Sequence, residues 1–137
     1  MSILGLGAIF HYLGGGSPKS ASDYYGRKIV DAKIDDNRLL LRFDDDVTIA
    51  LFDNGQSCCE SRYMSTDDEV SSLVGNILKH IEAKAGPSET GKDGNEHDTC
   101  FVEVATNQGF ITLVNHNEHN GYYGGFGLSI KETVVQS

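Results

Sequence analysis

The sequence predicts an α+β fold that consists mainly of an antiparallel β-sheet meander, with one short helix and a flexible N-terminal arm. Two observations predict the meander. Short apolar stretches rich in β-branched residues recur along the chain, and turn-forming residues separate them at short intervals. The single helix is predicted from one capping signal near the middle of the chain.

The first three strands are predicted at residues 28–34, 38–43 and 47–52. The acidic segments 35–37 and 44–46 separate them, and Asp and Asn are typical turn residues. Such closely spaced strands favour antiparallel neighbours, because the connections are too short for a parallel crossover.

The helix is predicted to begin at Thr66, because Thr66-x-x-Glu69 matches a capping box. Val70 and Leu73 would form its apolar face, and Gly75 would end it. Residues 76–84 fit both a helical and a strand period, and we favour a strand because Gly75 interrupts the helical pattern.

The remaining chain predicts a long polar loop at residues 86–98 and a hairpin of strands 99–105 and 110–114 around a tight turn at 107–109. A last strand is predicted near residues 126–131, and the tail after it is expected to be frayed.

We predict two segments in the chain. Residues 1–26 form a linker-like N-terminal arm, because a mildly apolar start is followed by a glycine- and serine-rich stretch. Residues 27–137 form a single ligand-binding domain.

Composition restricts the partners. The chain has 137 residues with a net charge of −9, and its pI is about 4.8. Duplex nucleic acid and anionic membranes require a basic face, so neither is expected as a partner. Three cysteines, two of them adjacent, fit a reducing cytoplasm better than a disulfide framework. We therefore expect a cytoplasmic protein.

Two polar segments carry the candidate chemistry. Residues 115–125 read as a loop with two histidines, asparagines, tyrosines and glycines, and residues 53–64 contain Cys58, Cys59 and Arg62. Arginine pairs with carboxylate or phosphate, tyrosine rings stack on bases, and asparagine offers a donor and an acceptor to a base edge. Glycine lets the backbone approach a ligand closely. If both segments lie at one end of the sheet, they build one site. The predicted ligand-binding residues are Arg27, Arg62, Tyr63, His116, Asn117, His119, Asn120, Gly121, Tyr122, Tyr123 and Gly124.

Two other functions stay open at this point. Cys58 and Cys59 with His116 and His119 supply ligands suited to zinc or a thiol nucleophile, which would make a metal-dependent or thiol enzyme. Adjacent cysteines rarely chelate one zinc ion, however, and no phosphate-loop, nucleophile-elbow or dinucleotide motif is present. We therefore expect no enzyme activity, no metal and no cofactor. Cys100 is expected to pack within its strand. The remaining possibility is an interaction module whose loops bind protein.

The motifs of segments 53–64 and 115–126, with Asp67-Asp68 and residues 73–75 between them, resemble the phage anti-defence sponges of the first Thoeris anti-defence type. The resemblance covers roughly residues 27–131. It implies a non-enzymatic protein that sequesters cyclic ADP-ribose isomers, and in some members cyclic oligonucleotides, and so blocks bacterial anti-phage defence in the infected host cell. It also implies a homo-oligomer, a dimer or a hexamer, with ligand pockets between subunits. The N-terminal arm departs from the family pattern.

Overall fold

The structure is a computed structural model that describes residues 11–12, 21–53, 60–91, 94–119, 126 and 128–134. Within this part of the chain, nine strands form two sheets. The strands are β1 (His11–Tyr12), β2 (Ile29–Asp35), β3 (Arg38–Phe43), β4 (Val47–Asp53), β5 (Glu60–Ser65), β6 (Leu78–Thr90), β7 (Glu96–Thr106), β8 (Gly109–His119) and β9 (Leu128–Val134). The described residues contain no helix long and apolar enough to cross a membrane.

The first sheet has the strand order β1-β9-β4-β3-β2. Strands β2, β3 and β4 form the predicted antiparallel meander, so this prediction is confirmed. Asp36 and Asn37 take positive φ angles of 52° and 59° in the β2–β3 turn, a conformation that Asp and Asn tolerate better than other residues with side chains. Strand β9 pairs antiparallel with β4, and β1 pairs parallel with β9.

The second sheet is antiparallel, with the order β5-β8-β7-β6. The strand favoured at residues 76–84 and the hairpin around 107–109 are both present. Strands β6, β7 and β8 are longer than predicted, however. The predicted loop 86–98 is wrong in extent, because β6 continues to Thr90 and β7 begins at Glu96. Polar side chains do not prevent pairing of the backbone in this exposed hairpin.

Residues 115–119 also form a strand rather than a loop. They are the last part of β8, where successive side chains alternate between the two faces of the sheet. Residues 60–65, predicted to be irregular, form the edge strand β5. In both segments the hydrogen bonds to a neighbouring strand outweigh the weak strand preference of the polar residues.

The predicted helix is wrong. Residues Val70–Leu73 form only a single turn of 3-10 helix, and Glu69 makes no capping hydrogen bond through its side chain. The Thr66 hydroxyl instead donates to the carbonyl of Thr112 in β8, at 2.7 Å. The Thr66 oxygen still accepts the Asp68 N–H at 3.1 Å, but no α-helix follows. The described residues contain only 3-10 helical turns beside the strands, so the fold is mainly β rather than α+β.

One hydrophobic core joins the two sheets. It includes Leu41 and Ile49 from the first sheet and Val102 and Leu113 from the second, all buried. The sheets also meet at one edge, where Lys28 pairs with Ile77 in an isolated antiparallel bridge. The domain division at residue 26 stays a prediction. Within the described residues, the 3-10 helix Ala21–Tyr24 packs on the core through Tyr24, which stacks on Phe43 and donates a hydrogen bond to Glu132.

The topology brings two connections to one end of the molecule. Asp53 at the end of β4 lies opposite Leu128 at the start of β9. Glu60 at the start of β5 lies opposite His119 at the end of β8. The residue before segment 54–59 is thus paired with the residue after segment 120–127, and the residue after 54–59 with the residue before 120–127. Residues 54–59 and 120–125 lie outside the described residues, so a single site built by both segments stays a prediction.

Candidate functional site

The strand pleat divides the polar residues at this end into two groups. Along β8, Asn115, Asn117 and His119 are buried on the face that also carries Leu113, while His116 and Glu118 face outward. Neighbouring strands place their residues in the same register, so each face collects side chains from three strands. We call Tyr63, Ser65, His97, His116 and Glu118 the outer cluster. We call Asp53, Arg62, Glu96, Asp98, Asn117 and His119 the inner cluster.

Three rings form a row across the outer face. Tyr63 on β5 stacks on His116 of β8 with a centroid distance of 4.3 Å and an interplanar angle of 9°. His116 in turn lies 5.1 Å from His97 of β7, tilted by 35°. Because β5 is the edge of this sheet, the row ends at Tyr63 on that side.

Hydrogen bonds fix the rings of the outer cluster. His97 Nε2 and His116 Nδ1 are 2.8 Å apart, and His116 Nε2 is 2.8 Å from the Ser65 hydroxyl. The Tyr63 hydroxyl donates to the Glu118 carboxylate at 2.6 Å. Ser65, His116 and His97 thus form one continuous line of hydrogen bonds.

The contacts of the outer cluster shift two pKa values. The pKa of His116 is lowered, mainly because partial burial disfavours its charged form and also because His97 lies beside it; Glu118 opposes the shift. The pKa of Tyr63 is raised by its hydrogen bond to Glu118, with smaller contributions from burial and from the Glu118 charge. A neutral His116 is therefore favoured at neutral pH.

The inner cluster contains charged side chains that are paired. Arg62 Nη1 lies 2.7 Å from Asp53 Oδ2, and their side chains are only 14% and 7% exposed. His119 Nε2 lies 2.7 Å from Asp98 Oδ2 and 3.9 Å from Glu96 Oε2. The other Asp98 oxygen accepts a hydrogen bond from Ser88.

Cys100 follows the inner cluster along β7 and is fully buried, as expected from its strand position. Burial, with a smaller contribution from Asp53, raises the pKa of its thiol to about 12. The thiolate that a nucleophile or metal ligand needs is therefore strongly disfavoured at this position.

The remaining candidate residues fall into two groups. Arg27 lies away from both clusters, because it pairs with Asp45 in the turn at the opposite end of β4. Asn120, Gly121, Tyr122, Tyr123 and Gly124 lie outside the described residues, as do Cys58 and Cys59.

The pleat also separates residues that the sequence analysis had grouped. Arg62 and Tyr63 are neighbours in β5 but lie on opposite faces, so they cannot contact one face of the same small ligand. His116 and His119 likewise lie on opposite faces of β8, so together they cannot bind one metal ion or form one enzyme site.

The chain matches, over residues 22–128, a family described as a domain of unknown function, DUF7448. The chain belongs to the DUF7448 family. No match was found among curated proteins or solved structures. The matched range contains both clusters of this DUF7448 chain, whereas β1 lies before it and β9 only begins at its last residue.

Sequence reasoning missed several members of the clusters in this DUF7448 domain. His97 and Asp98 fell within a predicted loop, and Glu118 was noticed only as part of the polar segment. The one signal that would have placed them is the tight turn after Thr106. Extending that hairpin outward pairs Asp98 with Asn117 and Glu96 with His119.

Replacing Arg62 with alanine should lower the free energy of unfolding by about 2–3 kcal/mol. Loss of one partner from a fully buried ion pair costs about 3–5 kcal/mol, and we expect a little less because the Arg62 side chain is still 14% exposed. Urea unfolding measures the change. The matched control is Arg27→Ala, whose pair with Asp45 is 31% and 48% exposed, and which should cost about 1 kcal/mol. Equal losses of unfolding free energy in the two variants would contradict the larger contribution of the buried Arg62–Asp53 pair.

The lowered pKa of His116 predicts a pH effect on stability. As pH falls below the ordinary value of 6.5, the unfolded chain takes up a proton at this residue and the folded chain does not, so stability should fall with pH until the lowered folded pKa is reached. Urea unfolding on both sides of pH 6.5 should show a smaller loss in His116→Gln than in the parent. His80→Gln, at a half-exposed histidine on β6, should keep the parent's loss.

Proposed function

We propose that the outer cluster binds a ring-bearing, nucleotide-type ligand and holds it without chemical change. The observation that carries the proposal is the row of rings formed by Tyr63, His116 and His97. This row stands on the outer face of the sheet, and it ends at an edge strand where a further ring can be added.

Stacking supplies the first part of the recognition. A base placed on the Tyr63 face turned away from His116 extends the row by one ring. Stacking of a base on an aromatic side chain contributes about 1–3 kcal/mol and tolerates different bases. Tyr63 is already held by His116 on one side and by Glu118 at its hydroxyl. Ligand binding therefore restricts the Tyr63 side chain little further, and the entropic cost of binding is small.

Polar groups beside the rings supply the second part. The exposed Glu118 carboxylate accepts hydrogen bonds from ribose hydroxyls or from an exocyclic amino group. The Ser65 hydroxyl adds a further polar group, whereas both ring nitrogens of His116 are already engaged by Ser65 and His97. Phosphate groups would be repelled by Glu118, so we place them away from it. Contact between phosphates and the predicted glycines 121 and 124 stays a prediction.

The resemblance to anti-defence sponges makes the ligand more specific. Tyr63, His116 and Glu118 all belong to the two motifs that carry it. On this basis the ligand is a cyclic nucleotide immune signal, either a cyclic ADP-ribose isomer or a cyclic oligonucleotide. The protein would sequester it in the cytoplasm of an infected cell as a homo-oligomer, a dimer or a hexamer.

Calorimetry with cyclic ADP-ribose isomers and cyclic di- and trinucleotides tests the proposal. Tyr63→Ala should weaken binding by about 5- to 150-fold, which corresponds to the loss of one stacked base. Tyr63→Phe should keep most of the affinity, because it retains the ring and loses only the bond to Glu118. The control is Phe110→Ala, which removes a 63% exposed aromatic ring from the other end of β8.

Two results would contradict this function. The first is that no ligand of the panel binds at micromolar protein. The second is that Tyr63→Ala binds as tightly as Phe110→Ala. Recovery of intact ligand after heating the complex distinguishes sequestration from hydrolysis.

A second candidate function rests on the line of hydrogen bonds from Ser65 through His116 to His97. In this function Ser65 would be the nucleophile and His116 its general base. His97 would orient the His116 ring. It ranks second because an imidazole in the orienting position stabilises a charged His116 less than a carboxylate would. The lowered pKa of His116 also makes it a weaker base.

A fluorophosphonate probe tests this second function. If Ser65 is an activated nucleophile, mass spectrometry should find the parent protein labelled at Ser65, and His116→Gln should remove the labelling. Thr99→Ser, which puts a serine on the same face of β7 opposite His116, is the control for ordinary hydroxyl reactivity. The enzyme hypothesis is rejected if the probe labels neither Ser65 nor the introduced serine in the Thr99→Ser protein.

A further inference from the structure

A second site lies on the other face of the same sheet. Glu96, Asp98 and His119 each offer one ligand atom there, and the three atoms lie within 4.8 Å of one another. We propose that these residues bind a divalent transition-metal ion. The site is separate from the outer cluster and does not depend on the ligand proposed for it.

The chemistry of the three ligands selects the class of ion. One imidazole nitrogen and two carboxylate oxygens form a set of intermediate hardness, which suits zinc or manganese. Calcium and magnesium prefer all-oxygen sites. The buried Cys100 thiol is not counted as a ligand, because its raised pKa keeps it protonated.

The present distances are close to those of a metal site. His119 Nε2 lies 2.7 Å from Asp98 Oδ2 and 3.9 Å from Glu96 Oε2. Adjacent ligands around an ion with bonds of about 2.1 Å stand roughly 3 Å apart in octahedral geometry. The ion would replace the proton shared by His119 and Asp98, and a small increase in the distance between these two residues is sufficient to accommodate it.

The site is partly organised before an ion arrives. The His119 side chain is only 1% exposed, so its ring is held by the surrounding fold. Asp98 is oriented by Ser88, whose hydroxyl donates to the carboxylate oxygen that does not face His119. Such an outer partner is what fixes a carboxylate ligand in metal sites. Glu96 is 39% exposed, which leaves a route from solvent.

An independent observation points to a group that the described chain does not supply. Asn115 lies on the same face of β8 and is 2% exposed, yet its Nδ2 atom has no hydrogen-bond partner among the described residues. A buried donor of this kind is normally satisfied by an ordered water. Three protein ligands also leave open positions on a metal ion that water fills. The water that Asn115 calls for would lie further along the strand than the ion, because Asn115 is four residues from His119; it indicates that this face admits the water that a metal ion also needs.

Charge favours the ion as well. The protein carries a net charge of −9. Among the described residues, Glu96 has no cationic partner closer than His119. A dication would add positive charge beside Glu96 and Asp98.

Calorimetry on the untagged full chain, stripped with chelator, tests the site with zinc, manganese and magnesium. We expect one zinc or manganese ion per chain, with zinc tighter than manganese and no measurable magnesium binding. Loss of even an outer partner weakens metal sites by about 10- to 100-fold, so Glu96→Gln and Asp98→Asn should each weaken binding by at least about tenfold. The Glu96 side chain is 39% exposed, and its distance of 3.9 Å from His119 Nε2 is longer than a hydrogen bond, so this variant should remain folded.

The matched control is Glu103→Gln, a carboxylate on the same strand that faces the other side of the sheet. It should bind like the parent. The proposal is overturned if neither zinc nor manganese binds at millimolar concentration. It is also overturned if Glu96→Gln and Asp98→Asn bind as the parent does, because the ion would then lie elsewhere.

Discussion

The alternation of β8 is the constraint on which both clusters depend. This strand has a neighbour on each side, and its residues 115–119 point alternately into the sandwich and away from it. If β8 shifted by one residue relative to its neighbours, His116 and Glu118 would turn to the inner face and His119 would turn to the outer face. The tight turn after Thr106 prevents this shift, because Asn107 is held to Ile77 at the end of the neighbouring segment through both its backbone and its side chain. Burial of Ile111 and Leu113 fixes the same register from the core side, since a slipped strand would expose them.

The two faces differ in how the protein treats charge. On the inner face, Arg62 is paired with Asp53 at 2.7 Å, as buried charges must be, and the polar His119 ring is hydrogen-bonded to Asp98 at 2.7 Å. On the outer face the interactions are mainly aromatic, and Glu118 remains exposed. Each group is therefore suited to a different partner. The outer rings suit a flat organic ligand, whereas the inner carboxylates and imidazole suit an ion. Because residues 22–128 match DUF7448, both groups lie within the part of the chain that represents the family.

The sequence predicted the meander and the β7–β8 hairpin because apolar alternation and turn residues are local signals. It did not predict β5 or residues 115–119 as strand, because these segments are polar and β5 pairs with residues more than 45 positions away. The facing ends of β6 and β7 pair locally, but their polar residues and Gly86-Pro87 are typical of a loop. The helix prediction failed although the Thr66 oxygen does accept the Asp68 N–H, because a local capping signal does not set the length of the element that follows it. For the site, residue types such as Tyr63 and His116 were recognisable from the sequence. Their division between two faces was not, because it requires the segment to be a strand.

The two clusters are separated by one sheet but share its backbone. His97 of the outer cluster stands between Glu96 and Asp98 of the inner cluster, and these are the first three residues of β7. An ion bound by Glu96 and Asp98 would hold the backbone on both sides of His97 and would limit the motion of its ring. His97 in turn positions His116, and His116 supports Tyr63. Order imposed on the inner face would thus reach the ring at the sheet edge through two direct contacts, His97 with His116 and His116 with Tyr63. A ligand that stacks on Tyr63 would then meet a surface that has already lost part of its conformational freedom, which lowers the entropic cost of binding.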